Sequence, residues 1–145
     1  PEIAELEGTI RALSERTRVK VHDQVRGVCT YVAATHGCTC EVQIEHGYPV
    51  TVNDHEVGVQ VLDVARRVLG DRHAELMPDP MMGAEDFSYV LAKVPGAMAF
   101  LGACPPGCEP DTAPANHSNR VVFDESAMVH GVALYAGFAL EALLP

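Results

Sequence analysis

Glu5-Leu6-Glu7-Gly8-Thr9-Ile10-Arg11-Ala12-Leu13 alternates residue by residue. Leu6, Gly8, Ile10 and Ala12 fall on one face and Glu7, Thr9 and Arg11 on the other, the period-two pattern of a strand with one solvated side. Ser14 then suits an N-cap, with Glu15 complementing the dipole of the first turn. Val21, Val25, Val28 and Val32 recur at helical spacing, and Gly37 suits the left-handed residue that ends a helix. From Cys38 to Tyr48 the alternation returns, with Val42 and Ile44 inward and Glu41, Gln43 and Glu45 outward. Residues 5–48 therefore predict strand–helix–strand, half of a small α+β layer. Two strands and one helix leave a sheet face and an edge uncovered.

Gly47-Tyr48-Pro49 interrupts this pattern. Asn53 or Asp54 can cap a second helix, with Glu56 placed as in a capping box. Val57, Val61, Val64 and Val68 form its stripe, and Gly70 ends it. A short extended stretch near Leu76-Met77 follows, then a helix opening at Gly83-Ala84-Glu85 and running to about Lys93. The apolar run from Ala97 to Leu101 predicts a strand buried on both faces. A proline-rich loop spans Cys104 to Asn119, and Asp124 caps a last helix to about Leu144, apolar nearly all round and therefore packed. Helices alternating with buried strand after residue 50 predict part of a three-layer α/β sheet.

The chain has 145 residues, 48% of them hydrophobic, enough for a real core rather than a disordered tail. Its formal charge of −10 repels phosphate backbones, which argues against a nucleic-acid partner. No run approaches the ~18–20 apolar residues of a membrane span. Pro1-Glu2-Ile3-Ala4-Glu5 has neither the basic nor the apolar region of a signal peptide, so reduced thiols and the cytoplasm are expected. With no Met at position 1, the natural start is expected elsewhere. Cys38-x-Cys40 and Cys104-x3-Cys108 could together make a four-thiolate zinc site. Cys38 and Cys40 share the parity of Val42 and Ile44, however, so they are expected to face a core as small hydrophobes.

Candidate chemistry lies on loops, where sites are usually built. His117 stands in Ala113-Pro114-Ala115-Asn116-His117-Ser118-Asn119 with no second metal ligand near it in sequence. His22, His36, His46, His55, His73 and His130 each read as solvated or structural. In Met82-Gly83-Ala84-Glu85-Asp86-Phe87-Ser88, Glu85 and Asp86 complement a helix N-terminus. Gly83 permits close backbone approach of a ligand, and the free N–H groups after it suit a carboxylate. Arg11 can be a solvated charge or a bidentate clamp on a carboxylate.

Leu6-Glu7-Gly8-Thr9-Ile10-Arg11, Met82 to Ser88 and Asn116-His117-Ser118, in this order and spacing, resemble the metallo-amidohydrolases of the aminoacylase/carboxypeptidase clan. The nearest branch is that of hippurate hydrolases and auxin–amino acid conjugate hydrolases. The resemblance implies an α/β catalytic domain holding divalent metal ions (zinc, manganese, cobalt or nickel) and a ferredoxin-like lid that often dimerises. It implies that residues 1–48 are the second half of the lid and 49–145 the C-terminal part of the catalytic domain. By the same resemblance His117 matches the last metal ligand, Arg11 a lid arginine that holds the substrate carboxylate, and Gly83 and Ala84 a loop lining the substrate site. Glu85 and Asp86 match its scaffold. The implied substrates are N-acyl or N-aroyl amino acids or small peptides, whose amide is attacked by metal-bound water.

The departures are as informative. The family's other ligands come from a His-x-Cys-Gly-His-like motif, a Glu-Glu pair that includes the general base, and a further His. These motifs are not in the 145 residues. The lid histidine that stabilises the oxyanion precedes a segment like Asn-Val-Ile-Pro, whose end Pro1 resembles. A catalytic metal needs three or more protein ligands, an open position and a base. The chain alone is therefore expected to be inactive. An alternative from another class is a non-catalytic remnant that pairs through its uncovered strand edges.

Overall fold

Two helices form where the sequence marks both of their ends, at Ser14 and Gly37 and at Asp54 and Gly70, whereas the last helix opens after Ser126 without a side-chain cap rather than on the expected Asp124. The computed structural model describes residues 2–144, so the expectation attached to Pro1 lies outside the described residues. Helix α1 is Glu15–Thr35, α2 His55–Leu69, α3 Ser88–Leu91 and α4 Ala127–Leu143, with single 3-10 turns at Asp71–His73 and Pro110–Thr112. The Ser14 hydroxyl oxygen accepts the Thr17 N–H at 3.1 Å and opens α1. Gly37, at φ +70°, closes it. There Cys38 N–H reaches the Ala33 carbonyl at 2.9 Å and Gly37 N–H that of Ala34 at 3.1 Å, the paired bonds of a Schellman end.

Asp54 caps α2, its carboxylate accepting the Val57 N–H at 3.0 Å. The neighbouring Asn53 is engaged elsewhere. Its carboxamide donates to the Met98 carbonyl at 3.0 Å and accepts the Met98 N–H at 2.8 Å. With Asp54 N–H on the Gly96 carbonyl at 2.9 Å, this ties the extended residues 96–98 to the head of α2.

The strand expectations are corrected. Among the described residues no strand forms, and residues 5–13, 38–48 and 97–101 are extended without a ladder. Leu6, expected on an inner face, is 92% exposed, and Phe100 and Leu101 are exposed where two-faced burial was expected. The reason is hydrogen bonding: a helix pairs its own backbone, whereas a strand needs a neighbour of suitable register. Cys38 and Cys40, expected to face a core, are exposed with their segment. The helix expected from Gly83 is also shorter. No side chain caps α3, and bonds from Ser88 N–H to Glu85 O (3.1 Å) and Tyr89 N–H to Asp86 O (3.0 Å) lead into it. Finally, α4 is not packed all round, since Tyr135 is 81% exposed.

The described chain divides into two compact units. The first runs to Val52 and takes in Met77–Val94, a segment that a division at residues 48 and 49 places with the other part. Here Arg18 of α1 donates to the Tyr48 carbonyl at 2.7 Å and pairs with Glu15 at 2.7 Å. Glu15 also accepts the Val50 N–H at 3.1 Å. His22, 6% exposed, meets the His46 ring edge-on at 5.1 Å, and Tyr48 meets Tyr89 likewise at 5.8 Å. These contacts pin residues 46–50 along α1.

The second unit comprises Asn53–Leu76 and the chain from Pro95. Its core is α2 against α4, with Val64 (2% exposed), Ala65 and Ala127 buried. A Cβ on Gly137 would stand 3.0 Å from Val64 Cγ1 and 3.3 Å from Val68 Cγ2, so this glycine sets how closely the helices approach. The exposed Arg67–Glu141 ion pair spans the same two helices and adds little stability. No described helix is long and apolar enough to cross a membrane.

Gly137→Val is expected to force α2 from α4 and cost about 1–3 kcal/mol, the range for overpacking a close contact; an unchanged urea midpoint would refute the close approach. A second prediction concerns Asp124, which precedes α4. The Ser126 side chain, then the Ser126 N–H, hold its carboxyl below the usual carboxylate range, against burial and with help from His130. A depressed folded value contributes stability that is fully present above the ordinary carboxylate pKa of about 4 and is lost as pH falls from there through the lower folded value. Melting temperatures of the wild type and Asp124→Asn should differ near neutral pH and converge on acidification. A gap independent of pH would contradict this account.

Candidate functional site

His117 occupies the tip of a β-turn. Ser118 N–H bonds the Ala115 carbonyl at 2.8 Å, leaving Asn116 and His117 as the two central residues. A second turn follows at once, with Val121 N–H on the Ser118 carbonyl at 3.2 Å and Arg120 N–H on the Ser118 hydroxyl at 3.1 Å. Upstream, the 3-10 turn at Pro110–Thr112 is closed by Ala113 N–H on the Glu109 carbonyl at 2.9 Å. The loop is thus a chain of turns, and it presents an exposed imidazole that no described residue hydrogen-bonds.

Gly83 and Ala84 lie exposed in the extended stretch before α3. A Cβ on Gly83 would meet nothing nearer than Glu85 Oε1 at 3.9 Å, so packing within this chain does not demand a glycine there. The helix that was expected to aim its N–H groups at a carboxylate starts only at Ser88 and has four residues, so no helix N-terminus is presented at Gly83. Glu85 and Asp86 instead supply turn carbonyls, a scaffold contribution. The Ser88 hydroxyl is 1% exposed and without a partner among the described residues.

Arg11 is exposed in the extended segment before α1 and forms no ion pair among the described residues. Arg18, by contrast, is spent on Glu15 and Tyr48. Arg11, Gly83 and Ala84 belong to the first unit and His117 to the second.

The donors present do not fit a divalent metal. Among the described residues no three His, Cys, Asp or Glu side chains gather as a metal site requires. The four-thiolate alternative finds no such gathering of its cysteines among the described residues. Sequence reasoning passed over two features. One is the buried His22 against His46, signalled only by its place beside Val21 on the helix stripe. The other is the Asn53–Met98 clasp, where the eye goes to capping first.

The profile of peptidase family M20/M25/M40 matches residues 4–141. The chain is 36% identical over 144 residues to thermostable carboxypeptidase 2 of Saccharolobus solfataricus, covering 97% of this chain and 35% of that protein. It is 31% identical to the IAA-amino acid hydrolase ILR1-like 2 of Arabidopsis thaliana, covering 99% and 32%. It is 26% identical to the hippurate hydrolase of Campylobacter jejuni, covering 99% and 36%. The chain spans about a third of the length of these relatives. Over nearly its whole extent, then, it belongs to peptidase family M20/M25/M40, a family of hydrolases with an α/β peptidase-type fold.

Proposed function

We propose that these residues are the C-terminal part of a metal-dependent amidohydrolase that cleaves N-acyl or N-aroyl amino acids. Residues 1–48 then belong to its lid, through which it dimerises, and 49–145 to its catalytic domain. The observation that carries the reading is the family match over residues 4–141, which contains the Arg11, Gly83 and His117 segments in order. The names hippurate hydrolase and IAA-amino acid hydrolase both describe an amide whose amine part is an amino acid. Such substrates keep a free carboxylate.

In this reading the Arg11 guanidinium clamps that carboxylate in bidentate fashion. Gly83 and Ala84 let the backbone approach the substrate closely, since no side chain of this chain fills the space beside Gly83. His117 offers one imidazole nitrogen at a turn tip. A single donor does not hold a catalytic metal, so no hydrolytic step is assigned to the chain alone.

Leu6, Val132, Tyr135 and Leu143 are among the exposed apolar residues. That exposure favours a second reading, a non-catalytic module whose role is association.

The 145 residues alone, given divalent metal and an N-acyl amino acid, are expected to show no turnover; measurable hydrolysis would overturn the inactivity. Fused behind the upstream two thirds of the Saccharolobus relative, they should support hydrolysis. In that fusion His117→Ala should lower kcat/KM more than the 10–100-fold typical of residues that only support a ligand. Arg11→Ala should act mainly on KM, by about 10–100-fold, the loss of a charged hydrogen bond of about 1.5–3 kcal/mol. A folded fusion with metal bound and no amide hydrolysis would favour the association module.

A further inference from the structure

Pro105-Pro106-Gly107-Cys108 is a tight turn flanked by thiols. Cys108 N–H bonds the Pro105 carbonyl at 3.1 Å, and Gly107 sits at φ +82°. Proline in the second position and a left-handed glycine in the third are the features of a type II turn. Cys104 precedes the turn directly, and its thiol donates to the Cys108 carbonyl at 3.5 Å. The turn is held on both sides. Ala103 accepts the Asp124 N–H at 2.9 Å, and Glu109 opens the next turn by accepting Thr112 N–H at 3.0 Å. Both cysteines are half-buried, so a small solute can reach them.

We propose that Cys104 and Cys108 form a reversible dithiol–disulfide pair, oxidised by exchange with a small disulfide of the glutathione type, which stiffens the loop bearing His117. The Cys108 thiolate attacks one sulfur of the small disulfide and releases one small thiolate, leaving a mixed disulfide on Cys108. Cys104 then gives up its proton and attacks the Cys108 sulfur, expelling the second small thiolate. Two electrons pass from the protein thiols to the small disulfide, which leaves as two thiols once the two released protons are taken up. Burial, then the neighbouring Cys108 and Glu109, push the Cys104 thiol up, which leaves the entering role to Cys108. The turn prepays the ordering that would otherwise oppose ring closure.

Trypsin isolates the pair, because the peptide of residues 94–120 contains Cys104 and Cys108 and no other cysteine. After equilibration with oxidised and reduced glutathione and alkylation of remaining thiols, that peptide is expected two hydrogens lighter and unalkylated. The equilibrium constant should be at least about tenfold smaller in urea, a shift of about 30 mV for a two-electron couple. Gly107→Val, which keeps both thiols but not the left-handed residue, should shift it equally. Two alkyl groups or two glutathione adducts on the folded chain would overturn the pair, as would equal constants folded and unfolded. Amide exchange at residues 115–118 should slow on oxidation; unchanged exchange would sever the link to His117. None of these readouts is an activity, so they stand apart from the amidohydrolase reading.

Discussion

Every backbone N–H and C=O withdrawn from water needs a partner, and only a helix finds those partners within its own segment. That constraint sorts this chain. α1, α2 and α4 form because each turn bonds to the turn before it, and Ser14 and Gly37 provide for the orphan groups at the ends of α1 as Asp54 and Gly70 do for α2. The alternating stretches have the right pattern for strands but no ladder among the described residues. Where an extended segment is held, a side chain stands in for the missing neighbour: Asn53 gives Met98 both of the bonds an adjacent peptide would offer.

The same constraint explains the surface. A face that alternates apolar and polar is built to be covered by something laid across the sheet. Without the sheet, Leu6 and the residues around Phe100 remain in solvent. α4 shows the helical counterpart. Gly137 lets one side of it close on Val64 and Val68, while Tyr135 and Leu143 stand exposed. A chain spanning about a third of its relatives' length leaves these apolar faces in solvent. The hydrophobic effect makes those faces costly in water and therefore adhesive.

What was legible in the sequence were local signals whose physics is complete within a few residues. A serine followed by a helical stripe, or a glycine after its last turn, specifies hydrogen bonds between near neighbours, and these formed where expected. The strands were misread for the opposite reason: alternation states which face wants burial but cannot supply the partner. The α3 start failed on a smaller scale, since Gly83 and Ala84 have no side chain that could accept an N–H, and the helix waits until the turn at Glu85 has closed. Asn53 and Asp54 were equivalent as caps in one dimension and were separated only by what lay beside Asn53.

The candidate residues share a property that bears on how such a site is assembled. Arg11, Gly83 and His117 all stand outside helices, exposed, on segments fixed by turns or by nothing but their ends. A metal ligand or carboxylate clamp contributes only when its rotamer is held by packing and by a second layer of hydrogen bonds. Here that layer is present for Arg18, which is spent on Glu15 and Tyr48, and absent among the described residues for Arg11 and His117. Residues left without internal partners in a folded chain are those still able to bind something else. Arg11 and His117, exposed and without internal partners among the described residues, are the side chains left free to take up a partner in the proposed site.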